Sequence, residues 1–176
     1  MAISPDEIFL QFSNRLEQLK DWPDRDIILS LTKICEDYVN LAQFFVEIVV
    51  NKLIHVNTNP TYKRPLFYLI DAIMKHVGGA YPAMFTTAFH DIYQPSLVDL
   101  SQTERDKLDF LLGTWAERRL LPLDLIDTMR AFLATAPRVS TFTLPLHICA
   151  DRIYAFISDL LILFSEKLFF SFCFLL

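Results

Sequence analysis

Apolar residues return at helical spacing along most of the chain, and the polar residues between them supply starts and stops. Ser4-Pro5-Asp6-Glu7 places a capping serine, a proline at the first helical position and a glutamate three after the cap. Phe9, Phe12, Leu16 and Leu19 then fall on one face. Trp22-Pro23-Asp24 breaks that helix, and a second follows from about Asp24 with Ile27, Leu31, Ile34, Cys35 and Tyr38 as its stripe. A third turns Leu41, Phe44, Phe45, Ile48 and Val49 inward, and Asn57-Thr58-Asn59-Pro60 reads as a loop. Pro65 to Val77 carries a stripe of Leu66, Ile70, Ile73 and Val77, closed by Gly78-Gly79. Phe85, Ala88, Phe89 and Ile92 mark a helix over roughly Pro82 to Tyr93. Ser101-Gln102-Thr103-Glu104 has the form of a second capping box, ahead of Leu108, Leu111, Leu112 and Trp115. Pro122 opens one more helix, with Leu125, Ile126, Met129, Phe132 and Leu133 inward. No segment alternates with period two between turn residues. The pattern predicts an all-α body of seven helices of about 11–17 residues, joined by short loops that favour antiparallel neighbours. No fixed-period repeat is visible.

Composition sharpens this picture and divides it. The chain has 176 residues, enough to bury a core, with 53% hydrophobic and 21% charged residues and a formal net charge of −5. That balance offers no basic footprint for duplex nucleic acid, and RNA binding is expected to be weak or absent. Residues 136–176 hold seven of the sixteen phenylalanines and balanced charge, so residues 1–135 carry the net −5. We therefore divide the chain into a helical domain, 1–135, and an atypical apolar segment, 136–176. Ile153, Phe156, Ile157, Leu160, Leu161, Phe164 and Leu168 keep helical spacing in that segment. It reads as a final packed helix, a membrane anchor or a non-native end. Asp159, Glu166 and Lys167 interrupt it, which makes an anchor unfavourable. The start, MAISPDEIF, has no basic stretch ahead of an apolar core and is not expected to be a secretory signal.

Catalytic chemistry finds little footing. There is no Gly-rich phosphate loop, no Gly-x-Ser-x-Gly elbow and no His-Glu-x-x-His pair. His55, His76, His90 and His147 are too dispersed for a metal site, and Cys35, Cys149 and Cys173 too few for a disulfide framework. The expectation is a non-enzyme without metal or cofactor. One helix face stands out: Tyr68, Asp71 and Lys75 lie off the apolar stripe, one turn apart. By spacing alone they read first as a solvated face and only second as the wall of a groove.

The run Pro65-Leu66-Phe67-Tyr68-Leu69-Ile70-Asp71-Ala72-Ile73-Met74-Lys75-His76-Val77-Gly78 resembles the signature helix of the RNA polymerase II C-terminal-domain-interacting domains. Ile28 to Ile34 resembles that family's second helix, and Leu111-Leu112-Gly113-Thr114-Trp115 with Leu121-Pro122 its sixth helix and following turn. The similarity spans roughly residues 1–135 and leans towards members from the pre-mRNA cleavage and polyadenylation machinery. It implies a right-handed superhelix of about eight helices, of the kind shared with ENTH and VHS domains. It also implies a groove for an extended peptide, the polymerase tail heptad Tyr-Ser-Pro-Thr-Ser-Pro-Ser phosphorylated on serine. Through the resemblance, Asp71 would accept a hydrogen bond from the heptad tyrosine hydroxyl, with Tyr68 and Ile73 at its pocket and Lys75 and His76 beside it. Arg118 or Arg119 would meet a serine phosphate, or else complement the C-terminal end of their helix. Ala72 and His76 depart from the family's serine and asparagine, which alters the polar groups available to the peptide backbone. The implied partners are the phosphorylated polymerase tail and other cleavage and polyadenylation subunits, and the implied location is the nucleus. A VHS- or ENTH-like trafficking adaptor, and a truncated form that binds nothing, are the alternatives.

Overall fold

The computed structural model describes residues 4–55 and 62–136, which fall within one compact unit. The Asn57–Pro60 loop and the whole apolar segment beyond Ala136 lie outside the described residues. Seven α-helices follow in order: α1 (Pro5–Leu16), α2 (Arg25–Asp37), α3 (Ala42–His55), α4 (Lys63–Ala72), α5 (Tyr81–Leu97), α6 (Gln102–Glu117) and α7 (Leu123–Thr135). A 3₁₀ turn, Val39–Leu41, leads into α3, and a π-helical turn, Ile73–Val77, continues α4. There is no strand among the described residues, so the all-α expectation holds. None of the described helices is long and apolar enough to cross a membrane.

Local chemistry sets most of these limits. Ser4 Oγ accepts from the Glu7 amide at 3.2 Å and the Glu7 carboxylate accepts from the Ser4 amide at 3.0 Å, completing the box at α1. Asp24 caps α2 by accepting from the amides of Asp26 and Ile27. At α6 the box is only half formed. Ser101 Oγ accepts from the Glu104 amide at 3.3 Å, but the Glu104 carboxylate turns inward to Arg64 rather than back to the cap. A buried guanidinium outcompetes a solvated amide for that carboxylate.

Two helices differ from their expected lengths. α5 continues past Tyr93 and through Pro95 to Leu97. Proline forfeits one amide hydrogen bond. Here the carbonyls at the end of the helix find another donor: Lys63 Nζ donates to those of Pro95 (2.9 Å) and Val98 (3.1 Å). Burial lowers the Lys63 pKa from its usual value, against a smaller upward pull from Asp99. α4 does not run straight to Val77. Its last turn widens, with the Gly78 amide bonding the Ile73 carbonyl five residues back at 3.1 Å. Gly78 then takes φ 64° and ψ −126°, a conformation open in practice to glycine alone.

α4 sits at the centre, packed by α2, α3 and α6, while α5 bridges α3 and α7. Its burial is wider than the four-residue stripe expected, taking in Leu66, Phe67, Leu69, Ile70, Ala72, Ile73 and Met74. Helices on several sides remove the solvent face that an amphipathic pattern presumes. Phe67, Phe89 and Trp115 meet with ring centroids 5.9–6.4 Å apart, locking α4, α5 and α6 together. By contrast Phe44, expected inward on α3, is 51% exposed; Ala42, Val46 and Leu53 join Phe45 and Val49 in the core instead.

Candidate functional site

The ring stack around Trp115 delivers its indole N–H to one acceptor. Trp115 Nε1 donates to Asp71 Oδ1 at 2.7 Å, across from α6 to α4. A tryptophan with no exposed surface needs such a partner for its single donor. Lys75, one turn along, lies 2.7 Å from Asp71 Oδ1 and donates to Oδ2 at 2.9 Å. Both side chains of this pair stay partly exposed, at 16% for Asp71 and 17% for Lys75. A carboxylate offers about four lone-pair positions. Three contacts fill less than that, so Asp71 keeps acceptor capacity at Oδ2.

Asp71 opens onto a cleft of about 640 Å³. α4 contributes Arg64, Tyr68 and Ala72 beside Asp71, and the π-helical turn contributes His76. The widened turn brings Asp71 and His76, five residues apart, to the same opening. The opposite wall comes from the α1–α2 loop and α2, with Trp22, Pro23, Arg25, Ile28 and Leu29, and Lys107 of α6 closes one side. Four of these residues are basic or imidazole and one is acidic; Arg64 is already paired with Glu104 and Asp71 with Lys75, which leaves Arg25, Lys107 and His76. The cleft is locally cationic in a chain of net charge −5.

Of the residues expected at the site, Tyr68, Asp71 and His76 line this cleft. Lys75 reaches it through Asp71. Ile73 does not line it: its side chain has no exposed surface and belongs to the core, as the helical stripe requires. Arg118 and Arg119 are exposed at the end of α6 and are not among the lining residues. Arg118 follows Lys107 by eleven residues, close to three full turns, so both lie on one edge of α6. Arg119 closes the helix. Its φ is 53°, its amide bonds the Ala116 carbonyl and the Leu120 amide bonds that of Trp115, which is the Schellman arrangement with arginine where glycine is usual.

Trp22, Arg25, Leu29, Arg64, Lys107 and Trp115 had no place in the sequence-based site. Arg64 is 8% exposed; it donates to Glu104 Oε1 at 2.8 Å and to the Asp21 carbonyl at 3.3 Å. Its guanidinium carbon stands 5.7 Å from the centre of the Trp22 ring. Arg64 Nε and Glu104 Oε2 are buried without a hydrogen-bond partner among the described residues. The one signal that pointed this way was Trp115, whose indole must find an acceptor when buried. No group of three or more His, Cys, Asp or Glu that could hold a metal occurs among the described residues.

Comparison with known proteins places this geometry. Protein PCF11 of Saccharomyces cerevisiae is 31% identical over 108 residues, which is 61% of this chain and 17% of that protein. The chain thus matches only about a sixth of that relative's length. The crystal structure of the RPR of Pcf11 superposes with a TM-score of 0.65 at 27% identity, covering 73% of this chain and 99% of that one. The family model of the CID domain matches residues 10–129, a span that includes Asp71, Trp115 and every residue lining the cleft. The chain belongs to the CID domain family.

Proposed function

We propose that this domain is a peptide-binding module for phosphorylated heptads of the RNA polymerase II C-terminal domain, acting without catalysis in nuclear pre-mRNA 3′-end processing and transcription termination. The observation that carries the reading is the Asp71 carboxylate, fixed by Trp115 and Lys75 yet open to the cleft with acceptor capacity left. A tyrosine ring entering there buries a large apolar body against Ile28, Leu29 and Ala72 and presents its hydroxyl to Asp71. A phenylalanine would lose that bond, which gives discrimination.

The cations around the cleft supply the rest. Arg25 and Lys107 flank it, and Arg118 extends the Lys107 edge of α6 past Trp115. An extended peptide lying along α6 meets positive charge on both sides of its tyrosine, where phosphoserines would sit. Ala72 presents a methyl group where the family has serine, so the peptide backbone has one fewer side-chain hydroxyl to meet at that point. Membership of the CID family and the likeness to Pcf11 support the placement in 3′-end processing with other cleavage and polyadenylation subunits.

The test is a titration of phosphorylated and unphosphorylated heptad peptides against the wild type and Asp71→Asn. Asparagine keeps an acceptor for Trp115 while removing the charge. The reading expects the phosphorylated peptide to bind more tightly and the variant to lose about 30-fold, the equivalent of roughly 2 kcal/mol for a hydrogen bond to a charged group. Equal affinities for the two proteins would refute it.

A further inference from the structure

Trp22 is 70% exposed, an unusual place for the largest apolar side chain. A lone surface aromatic needs no explanation. This one is held. Arg64 stands against its ring at 5.7 Å, and Arg64 is itself nine-tenths buried and tied to Glu104 at 2.8 Å. The same guanidinium donates to the carbonyl of Asp21, the residue before Trp22, at 3.3 Å. One cation therefore fixes both the backbone and the ring, and the indole stays open to the cleft. Pro23 and the half-exposed Leu29 continue the apolar surface beside it.

We propose that Trp22 is a second anchor of the cleft, a platform on which a proline of the bound peptide lies while its tyrosine is held at Asp71. This rests on the peptide reading above and deepens it. The ligand class decides the occupant: of the residue types in the heptad, serine, threonine and tyrosine carry a hydroxyl that an apolar platform would strand, and proline alone does not. Proline also arrives with its φ fixed, so docking it immobilises little. A phosphoserine gains nothing from Trp22, Pro23 and Leu29. With two anchors the cleft holds the peptide at two points rather than one.

The chain has two tryptophans, one at each anchor, and this makes the test site-resolved. Trp22→Phe leaves Trp115 as the only indole, so the Trp22 signal is the wild-type emission minus that of the variant. With a phosphorylated heptad peptide added, we expect the Trp22 component to shift to the blue and lose its access to acrylamide. Affinities are measured in parallel for wild type and Trp22→Ala, using the peptide and a version with its prolines changed to alanine. Trp22→Ala should weaken the proline peptide about tenfold and the alanine peptide less than twofold. The variant removes an exposed side chain, and an unchanged melting temperature confirms that it folds. Equal losses on both peptides, or a Trp22 still open to acrylamide in the complex, would overturn the proposal. If Asp71→Asn weakens binding and Trp22→Ala does not, the second anchor fails and the peptide reading stands. If Trp22→Ala weakens binding and Asp71→Asn does not, the tyrosine site fails instead. No binding of any heptad peptide overturns both.

Discussion

Arg64 and Asp71 lie about two turns apart on α4, and each faces an opposite charge, yet the pairs differ in reach and in burial. Arg64 meets Glu104 from a helix forty residues away, with side chains 9% and 7% exposed. Asp71 meets Lys75 one turn along its own helix, with side chains about twice as exposed. The first pair gives up hydration on both ions and leaves one atom of each unpartnered among the described residues. The second keeps part of its hydration and spare acceptor capacity. The comparison teaches where charge is consumed by the fold and where it keeps hydration and acceptor capacity. Arg64 joins α4, α6 and the α1–α2 loop, while Asp71 is braced by Trp115 of α6 and Lys75 of its own helix and keeps acceptor capacity towards the cleft.

The sharpest way to break that contrast is to remove one partner of each pair. Glu104→Ala strands a buried guanidinium and should destabilise the domain by about 3–5 kcal/mol in chemical denaturation. The double variant Arg64→Met with Glu104→Leu should recover most of that loss, because the unpartnered atoms disappear with the charges. Asp71→Asn should leave stability within about 1 kcal/mol of wild type while removing about 2 kcal/mol of peptide binding. If Asp71→Asn unfolds the domain and Glu104→Ala does not, the roles assigned to the two pairs are reversed.

Smaller effects test the surroundings of α4. Burial pushes the Cys35 thiol from 9.0 up to about 12, a hydrogen bond with Tyr81 opposing it weakly. Burial also raises the Tyr81 phenol above its usual value. In the unfolded chain the thiol releases its proton above about pH 9, whereas the folded thiol keeps it, so deprotonation favours unfolding. Stability contributed by Cys35 is complete below pH 9 and should fall by about 1.4 kcal/mol per pH unit between roughly 10 and 12. Cys35→Ala should flatten that part of the alkaline slope in urea titrations, leaving the Tyr81 contribution. At the far end of α6, Arg119 occupies a left-handed position at φ 53°. Arg119→Gly should raise stability by about 0.5–1 kcal/mol in thermal melts.

The sequence made the helices legible because their signals are local. Ser4 and Ser101 cap where they were expected to, Asp24 caps the helix expected to start near it, and Gly78 and Gly79 both take positive φ. The exceptions arise from contacts between distant residues. Glu104 abandons the capping box for Arg64, and α5 passes through Pro95 with Lys63, thirty-two residues earlier, meeting its terminal carbonyls. Asp71, Tyr68 and His76 were reachable through the family motif, since all three sit on the signature helix. The other wall was not. Trp22 reads in sequence as the breaker between two helices, and nothing local shows that Arg64 comes to rest against its ring. Arg118 and Arg119 look alike in sequence, but the Schellman closure separates a residue on the Lys107 edge from one spent on ending the helix.

The central claim is that Asp71 recognises a tyrosine hydroxyl. A double-mutant cycle isolates it: wild type and Asp71→Asn, each titrated with a phosphorylated heptad peptide and with the same peptide carrying phenylalanine for tyrosine. If the two groups bond, either change alone weakens binding and the second adds little, giving a coupling of about 1.5–3 kcal/mol. Losses that simply add, with no coupling, would contradict the account.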